Sequence, residues 1–327
     1  MTWVDISKGD GLPWEWDSLA KENTFLKRSF LMHLERVNPC GQSYHILYEH
    51  GLPQAIYVSY QLKINILTYS FLKLKLPVTI MGIPCSVSKP GFFVLEGSQE
   101  KLLQHFNRRK GAKLILNSEQ VLPQTRGQTL PACKLYIKWS DFAAYVSNMR
   151  SSYRYRIKQA LKKGRALDFN YSTTDKFSIE HYGYYEETFN RSPYPLEKLS
   201  IDFFQKLTLP SRLLEVLKDG NLLGFAVFIE NGEELIFLFT GFNHGQNLDY
   251  DIYLNLLLEI IKYGIDNRFE TIDFGQTAEE TKLKLGSSLE AKDMYINHSN
   301  PLINGLVNKN IKFFSYTPSP KKYHVFK

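Results

Sequence analysis

Apolar and polar positions along the chain follow first a helical and then an extended period. Residues 14 to 37 read as helical, with Leu19, Phe25, Leu31 and Leu34 available for one buried side. After Asn38-Pro39 the text YHILYEHGLPQAIYVSYQLK alternates as two strands around a His50-Gly51 turn. KLPVTIMGIPCSVSKPGFFV reads as a strand running into a loop, broken by Gly82, Pro84, Pro90 and Gly91. A helix over 99 to 110, closed by Gly111, and a strand at 114 to 116 complete the first half.

A strand at 134 to 138 leads into a helix that Ser140 would start and Gly164 would end. A strand at 167 to 172, helices at 178 to 190 and 200 to 208, and a strand at 212 to 217 come next. Asp219-Gly220 and Asn231-Gly232 then turn the chain through LLGFAVFIE and ELIFLFTGFN, giving three antiparallel strands. DYDIYLNLLLEIIKYGIDN is a long helix with Ile252, Leu256, Ile260 and Tyr263 on one side. The strand ETIDFG, a helix near 277 to 285 and a polar, lysine-rich tail finish the chain.

With 327 residues, two domains of the usual size of about 100 to 200 residues are expected. Apolar residues at 43% and charged residues at 22% are ordinary for a folded globular chain and exclude wholesale disorder. No apolar run approaches the roughly 20 residues of a membrane span, and MTWVDISKGDG lacks the pattern of a signal peptide, so a cytoplasmic location is expected. Cys40, Cys85 and Cys133 have no metal-ligand or disulfide spacing and read as core thiols; no metal is expected.

A net charge of +7 favours a polyanionic partner such as a phosphate-bearing cofactor, tRNA or an acidic carrier protein. Between Asp141 and Asp168 there is no acidic residue, while basic residues crowd from Arg150 to Arg165. Arg150, Arg154 and Lys158 recur every fourth residue, a like-charge stripe that an anionic ligand would relieve, with Tyr153 and Tyr155 beside it. The same residues also suit a solvated helix face.

The order β-α-α-β-β-β-α-β-α-β resembles the GNAT fold. The texts RSSYRYRIKQALKKG, GNLLGFAVFIENGEELIFLFTGFN and IDFGQTAEETKLKLGSS resemble the two-domain branch of GNAT-like N-acyltransferases related to Fem-type peptidoglycan aminoacyltransferases. The resemblance covers most of residues 145 to 296 and is weaker before that. It implies an α/β (α+β) chain of two tandem GNAT-like domains, each a mixed, largely antiparallel central sheet flanked by helices. They would be a degenerate domain over 1–145 and a catalytic domain over 146–327. The implied activity is amide formation, in which an amine attacks an acyl or aminoacyl group on acyl-CoA, acyl-carrier protein or aminoacyl-tRNA. The acceptor would be an amine-bearing small molecule or a cell-wall precursor. The rivals are a tRNA-dependent Fem-type enzyme on a peptidoglycan precursor, and an inactive GNAT-like binding module. A monomer or a dimer fits equally.

The resemblance also implies site residues. Lys282, in Lys-x-x-Leu-Gly, aligns with the family's Lys-x-x-aromatic-Gly and would stabilise negative charge at the acyl site. Asp273 would position or deprotonate the amine, and Gly275 would allow close approach of a ligand. Arg154, Tyr155, Tyr253, Asn190 and Arg191 are candidate substrate contacts, whereas His244 has no spacing of a dedicated base. The pyrophosphate-holding glycine turn of CoA-dependent members is missing from GFNHGQNLDYDIYLNLL, which offers Asp249 and Asp251 instead. That departure shifts weight toward a donor held in another way.

Overall fold

The computed structural model describes residues 2–70, 72–318 and 321–327. From its start the chain forms β1 (Thr2–Ile6), α1 (Trp16–Ala20), α2 (Arg28–Val37), β2 (Ser43–Glu49), β3 (Leu52–Asn65) and β4 (Lys75–Met81). There follow β5 (Phe92–Val94), α3 (Gln99–Asn107), β6 (Ala112–Ser118), β7 (Arg126–Gln128), β8 (Ala132–Tyr136), α4 (Phe142–Asn148) and α5 (Ser151–Lys163). The middle is β9 (Asp168–Ser172), α6 (Ile179–Arg191), α7 (Ile201–Gln205), β10 (Ser211–Lys218), β11 (Asn221–Asn231) and β12 (Glu234–Phe242). The chain ends through α8 (Asn247–Tyr250), α9 (Ile252–Asp266), β13 (Thr271–Asp273), α10 (Glu279–Leu283), β14 (Ser288–Glu290), β15 (Asp293–His298), α11 (Pro301–Lys309) and α12 (Ile311–Phe314).

These elements make two mixed α/β units, in accord with the tandem arrangement expected. The division differs from a single cut at residue 145. The first unit comprises Met1–Pro131, Leu196–Leu199 and Ala291–Pro318; the second comprises Ala132–Pro195, Ser200–Glu290 and Ser319–Lys327. Strand pairing is the cause. β8 bonds to β13 through Leu135 and Ile272, which carries residues from 132 into the second sheet. β15 returns to pair with β6 and β7, so the stretch expected as a polar tail supplies a strand to the first sheet.

The first sheet runs β1, β2, β3, β4, β6, β15, β7, with β5 also against β3. Its buried faces hold Trp16, Phe25, Tyr44, Tyr57 and Phe106 among other large side chains. The second runs β14, β8, β13, β12, β11, β10, β9 and is antiparallel except where β12 meets β13. Its core is aliphatic, with Leu256, Leu257, Ile260 and Ile261 of α9 buried against the sheet residues Ala226, Phe228 and Leu235.

Three stretches expected as single helices are broken. Residues 14–37 split at Lys21, which adopts a left-handed φ of 49°. The helix from 140 to 164 stops at Met149, whose extended ψ of 148° lets it bridge to Phe326, and it starts at Asp141 rather than Ser140, with Asp141 accepting the Ala144 amide. The helix from 249 breaks at Asp251, at φ 48° and ψ 45°. Apolar periodicity runs on through such breaks because one left-handed or extended residue redirects the axis and still leaves apolar side chains facing inward.

Candidate active site

β12 and β13 are parallel neighbours only over Glu234↔Thr271, Leu235↔Ile272 and Ile236↔Asp273. β12 then runs on to Phe242 without β13 beside it, so the two strands part at Ile236 and Asp273. Just past that point the ladder between β11 and β12 slips: Phe228 faces Phe237 and Val227 faces Phe239, which leaves Leu238 as the extra residue of a bulge. A bulge bends its strand and takes the extra residue out of the ladder. Pairing between β12 and β13 therefore ends beside a bulge in β12.

Asp273, Gly275 and Lys282 meet around the loop that leaves β13 at this opening. Asp273 is buried, and its carboxylate accepts the Gly275 amide at 2.7 Å. Gly275 has a φ of 67°, a conformation open to glycine at little cost, and a Cβ there would touch the Phe237 carbonyl only at ordinary contact distance. Backbone conformation, more than a need for space, calls for the glycine. Thr277 and Ala278 follow at φ 66° and 47°, unusual for residues with a Cβ, and turn the chain sharply into α10.

Lys282 projects from α10 into this turn and is only 1% exposed. Its Nζ donates to the Gln276 carbonyl at 2.8 Å and, longer, to the Gly275 carbonyl at 3.5 Å. Burial brings its ammonium down to about 8, against the opposing pull of Cys133, Asp273 and Glu279. Its neighbour Lys284 is an ordinary surface lysine paired with Glu280 at 2.9 Å. The two lysines lie two residues apart, on α10 and at its C-cap, yet of the two Lys282 is the one in a desolvated site.

Cys133, on β8, was expected only as a core thiol. It is fully buried within electrostatic reach of Lys282, Asp273 and Tyr253, and burial raises its thiol to about 11. It stays protonated at neutral pH, so it is unsuited to act as a nucleophile. Its role at the site is invisible in the sequence because β8 joins β13 only through sheet pairing.

Tyr253, in the first turn of α9, stacks on Phe242 at 5.5 Å, and burial raises its phenol well above the usual range. Phe242 also packs on His244 at 4.3 Å, whose Nε2 lies 3.4 Å from the Thr188 hydroxyl. Burial, and next the charge of Arg191, lower the His244 imidazole, so it is neutral at physiological pH. Arg191 itself is exposed and pairs with Glu187 at 2.9 Å. Asn190, beside it at the end of α6, is exposed. Helix α6 seats directly on β12, since a Cβ on Gly241 would fall 2.5 Å from the Tyr184 backbone.

The basic helix α5 has a different geometry. The Arg154 guanidinium donates to the Ser147 and Met149 carbonyls at 3.1 and 3.2 Å, closing the end of α4. Tyr155 is 66% exposed. Arg156 instead binds Asp251 at 3.2 Å, with Lys163 at 3.7 Å, and holds the break between α8 and α9. Asp251 is thereby neutralised, and its expected repulsion of a phosphate is weakened. Four amides around the start of α8 and α9 are taken, however. Asn243 Oδ1 accepts from Gln246, Asn247 Oδ1 accepts from Tyr253, and the Gln246 carbonyl accepts from Asp249 and Tyr250. A phosphate cradle at a helix start needs such amides free.

In the first unit, Asp5, His45 and His105 bring ligand atoms within 4.8 Å of one another, a constellation that residue spacing did not announce. Arg109 donates to His45 Nε2 at 2.8 Å, and arginine only donates, so the His45 proton sits on Nδ1, 2.5 Å from Asp5. A metal at Nδ1 would have to displace that proton and turn the Arg109 contact into two opposed donors.

Residues 147–283 match the family model described as Acetyltransferase (GNAT) domain. The matched stretch runs from the end of α4 to the end of α10 and includes Asp273, Gly275 and Lys282. The chain is similar in fold to FemX (TM-score 0.50, 14% identity, 81% of this chain and 90% of that one). It is likewise similar to a structure described as the C-terminal domain of a lysylphosphatidylglycerol synthetase of Agrobacterium fabrum (0.50, 11%, 90% and 95%). N-myristoyltransferase of Saccharomyces cerevisiae with bound myristoyl-CoA is a third (0.53, 10%, 90% and 77%). At these identities the likeness is one of fold. No curated protein sequence matches the chain.

Proposed function

We propose that the second unit forms an amide by direct transfer of an acyl or aminoacyl group from an activated donor to an amine, at the opening between β12 and β13. The observation that carries this reading is Lys282: a buried ammonium that, among the described residues, bonds to two loop carbonyls, where the pairing of β12 with β13 ends. The acyl chain enters the gap, and its carbonyl oxygen lies toward Lys282 and the bulge at Leu238. As the amine nitrogen bonds to the carbonyl carbon, the oxygen gains charge that the ammonium and a backbone N–H stabilise. The Asp273 carboxylate takes the proton from the amine. The bond from the acyl carbon to the donor's sulfur or oxygen then breaks, and the leaving thiolate or alkoxide takes up the proton that Asp273 received from the amine, which restores the carboxylate. The high Cys133 thiol supports a path without a covalent enzyme intermediate.

The donor is acyl-CoA, acyl-carrier protein or aminoacyl-tRNA, held without a pyrophosphate cradle at the start of α9. The acceptor is an amine-bearing small molecule or cell-wall precursor. Each donor, presented with a panel of amines, is assayed for amide by mass spectrometry with the wild type, Lys282→Met and Asp273→Asn. Amide from one donor class that is lost in both variants supports the reading. Donor binding without amide from any acceptor would favour a binding module, and amide formation untouched by both variants would remove the site from the chemistry.

A further inference from the structure

Helix α11 is built inside out. Leu302 is 81% exposed and Leu306 64%, with Ile303 and, in α12, Phe313 also open to solvent. Asn304 turns inward, its side chain accepting the His298 amide at 3.0 Å. A helix that packs on a sheet ordinarily does the reverse. The charge around these side chains is one-sided. From Met294 to Lys327 there are five lysines and no aspartate or glutamate. Lys309 and Lys312 are exposed, form no ion pair among the described residues, and sit between the leucines and Phe313. The aliphatic patch and these two lysines belong to the first unit.

We propose that α11 and α12 form a docking surface for an anionic lipid bilayer. Leu302, Ile303, Leu306 and Phe313 enter the boundary between headgroups and acyl chains, and Lys309 and Lys312 meet the lipid phosphates. Charge complementarity selects this occupant. A lysine-flanked, mainly aliphatic patch in a stretch without aspartate or glutamate suits a negative, apolar-backed surface, whereas single-stranded nucleic acid would call for several aromatic stacking platforms where this patch has mostly aliphatic side chains.

The test is sedimentation of the full chain with phosphatidylcholine vesicles and with vesicles rich in phosphatidylglycerol, beside light scattering of the free protein. Leu302→Asp with Leu306→Asp, and Lys309→Gln with Lys312→Gln, are compared after their melting temperatures are matched to wild type. These exposed positions make folding failure easy to recognise. Binding to phosphatidylglycerol vesicles that salt weakens, that the leucine variant abolishes and that the lysine variant reduces about tenfold or more bears the proposal out. Absence of binding, or binding that ignores both variants, overturns it. So does a dimer in solution that Leu302→Asp with Leu306→Asp dissolves, since the patch would then cover a second copy of the chain.

Discussion

Two polar clusters, one in each unit, use ionisable groups to opposite effect. In the first unit a chain of hydrogen bonds runs from Arg109, which can only donate, to Asp5, which can only accept. Arg109 bonds His45 and Tyr57 at 2.8 Å each, Tyr57 meets His105 at 2.7 Å, and both imidazoles face Asp5. The Arg109 donor fixes the His45 proton on Nδ1, and a charge stands at each end. Burial lowers the His45 imidazole to about 4, so it stays neutral in the network. In the second unit Lys282 is enclosed and, among the described residues, is held by two carbonyls, with its nearest charges felt at a distance. A closed network stabilises a fold, whereas a desolvated cation without a hydrogen-bonded counterion is available to a developing negative charge.

The largest effect that tests this contrast is on turnover. Lys282→Met is expected to lower kcat about 100- to 1,000-fold, the range for loss of one oxyanion donor, with little change in donor affinity. Steady-state kinetics and donor titration check it. A fall in affinity alone would make Lys282 a binding group. Arg109→Met should do the opposite. Removing the donor end of the network costs about 1 to 3 kcal/mol in denaturant unfolding, and transfer per folded molecule stays unchanged.

Acid should separate the clusters next. His45 has a lowered folded value, so the unfolded chain binds more protons between about 4 and 6.5. The stability it contributes is complete above its unfolded value near 6.5 and is lost as pH falls toward 4. Asp5 acts in the same sense lower down: burial opposes ionisation, but the His45 hydrogen bond and nearby charges outweigh it and lower the carboxyl. Unfolding of wild type and His45→Asn from pH 7 to 4 should therefore converge, and parallel curves would contradict the network. The smallest effect belongs to Lys284→Ala, which loses one exposed pair with Glu280 and should change stability by less than about 0.5 kcal/mol.

The order of elements in the second unit was legible because its signals are local. The Asp219-Gly220 turn, the apolar run of β11 and the α9 stripe each lie within a few residues. Asp273 and Lys282 lie nine residues apart, one at the end of β13 and the other on α10, so the loop that joins them was also a local feature. Non-local pairing hid the rest. Nothing near residue 293 announces that β15 returns to the first sheet, and Cys133 reaches Lys282 only because β8 lies beside β13. Asp5, His45 and Arg109 are too far apart in sequence to form a motif. The Arg150, Arg154 and Lys158 stripe suggested a ligand, but the structure gives Arg154 to α4 and leaves Arg156, off that stripe, to bind Asp251.

The account turns on a protonated Lys282 in the transition state, and the pH dependence of kcat/KM tests it most directly. Transfer should be followed from pH 6 to 10 for the wild type and for Lys282→Arg, whose guanidinium stays charged throughout. The wild type should lose activity as pH rises through about 8, where its ammonium deprotonates, and the arginine variant, however slow, should lack that falling limb. The same limb in both proteins, or none in the wild type, would contradict the role given to Lys282.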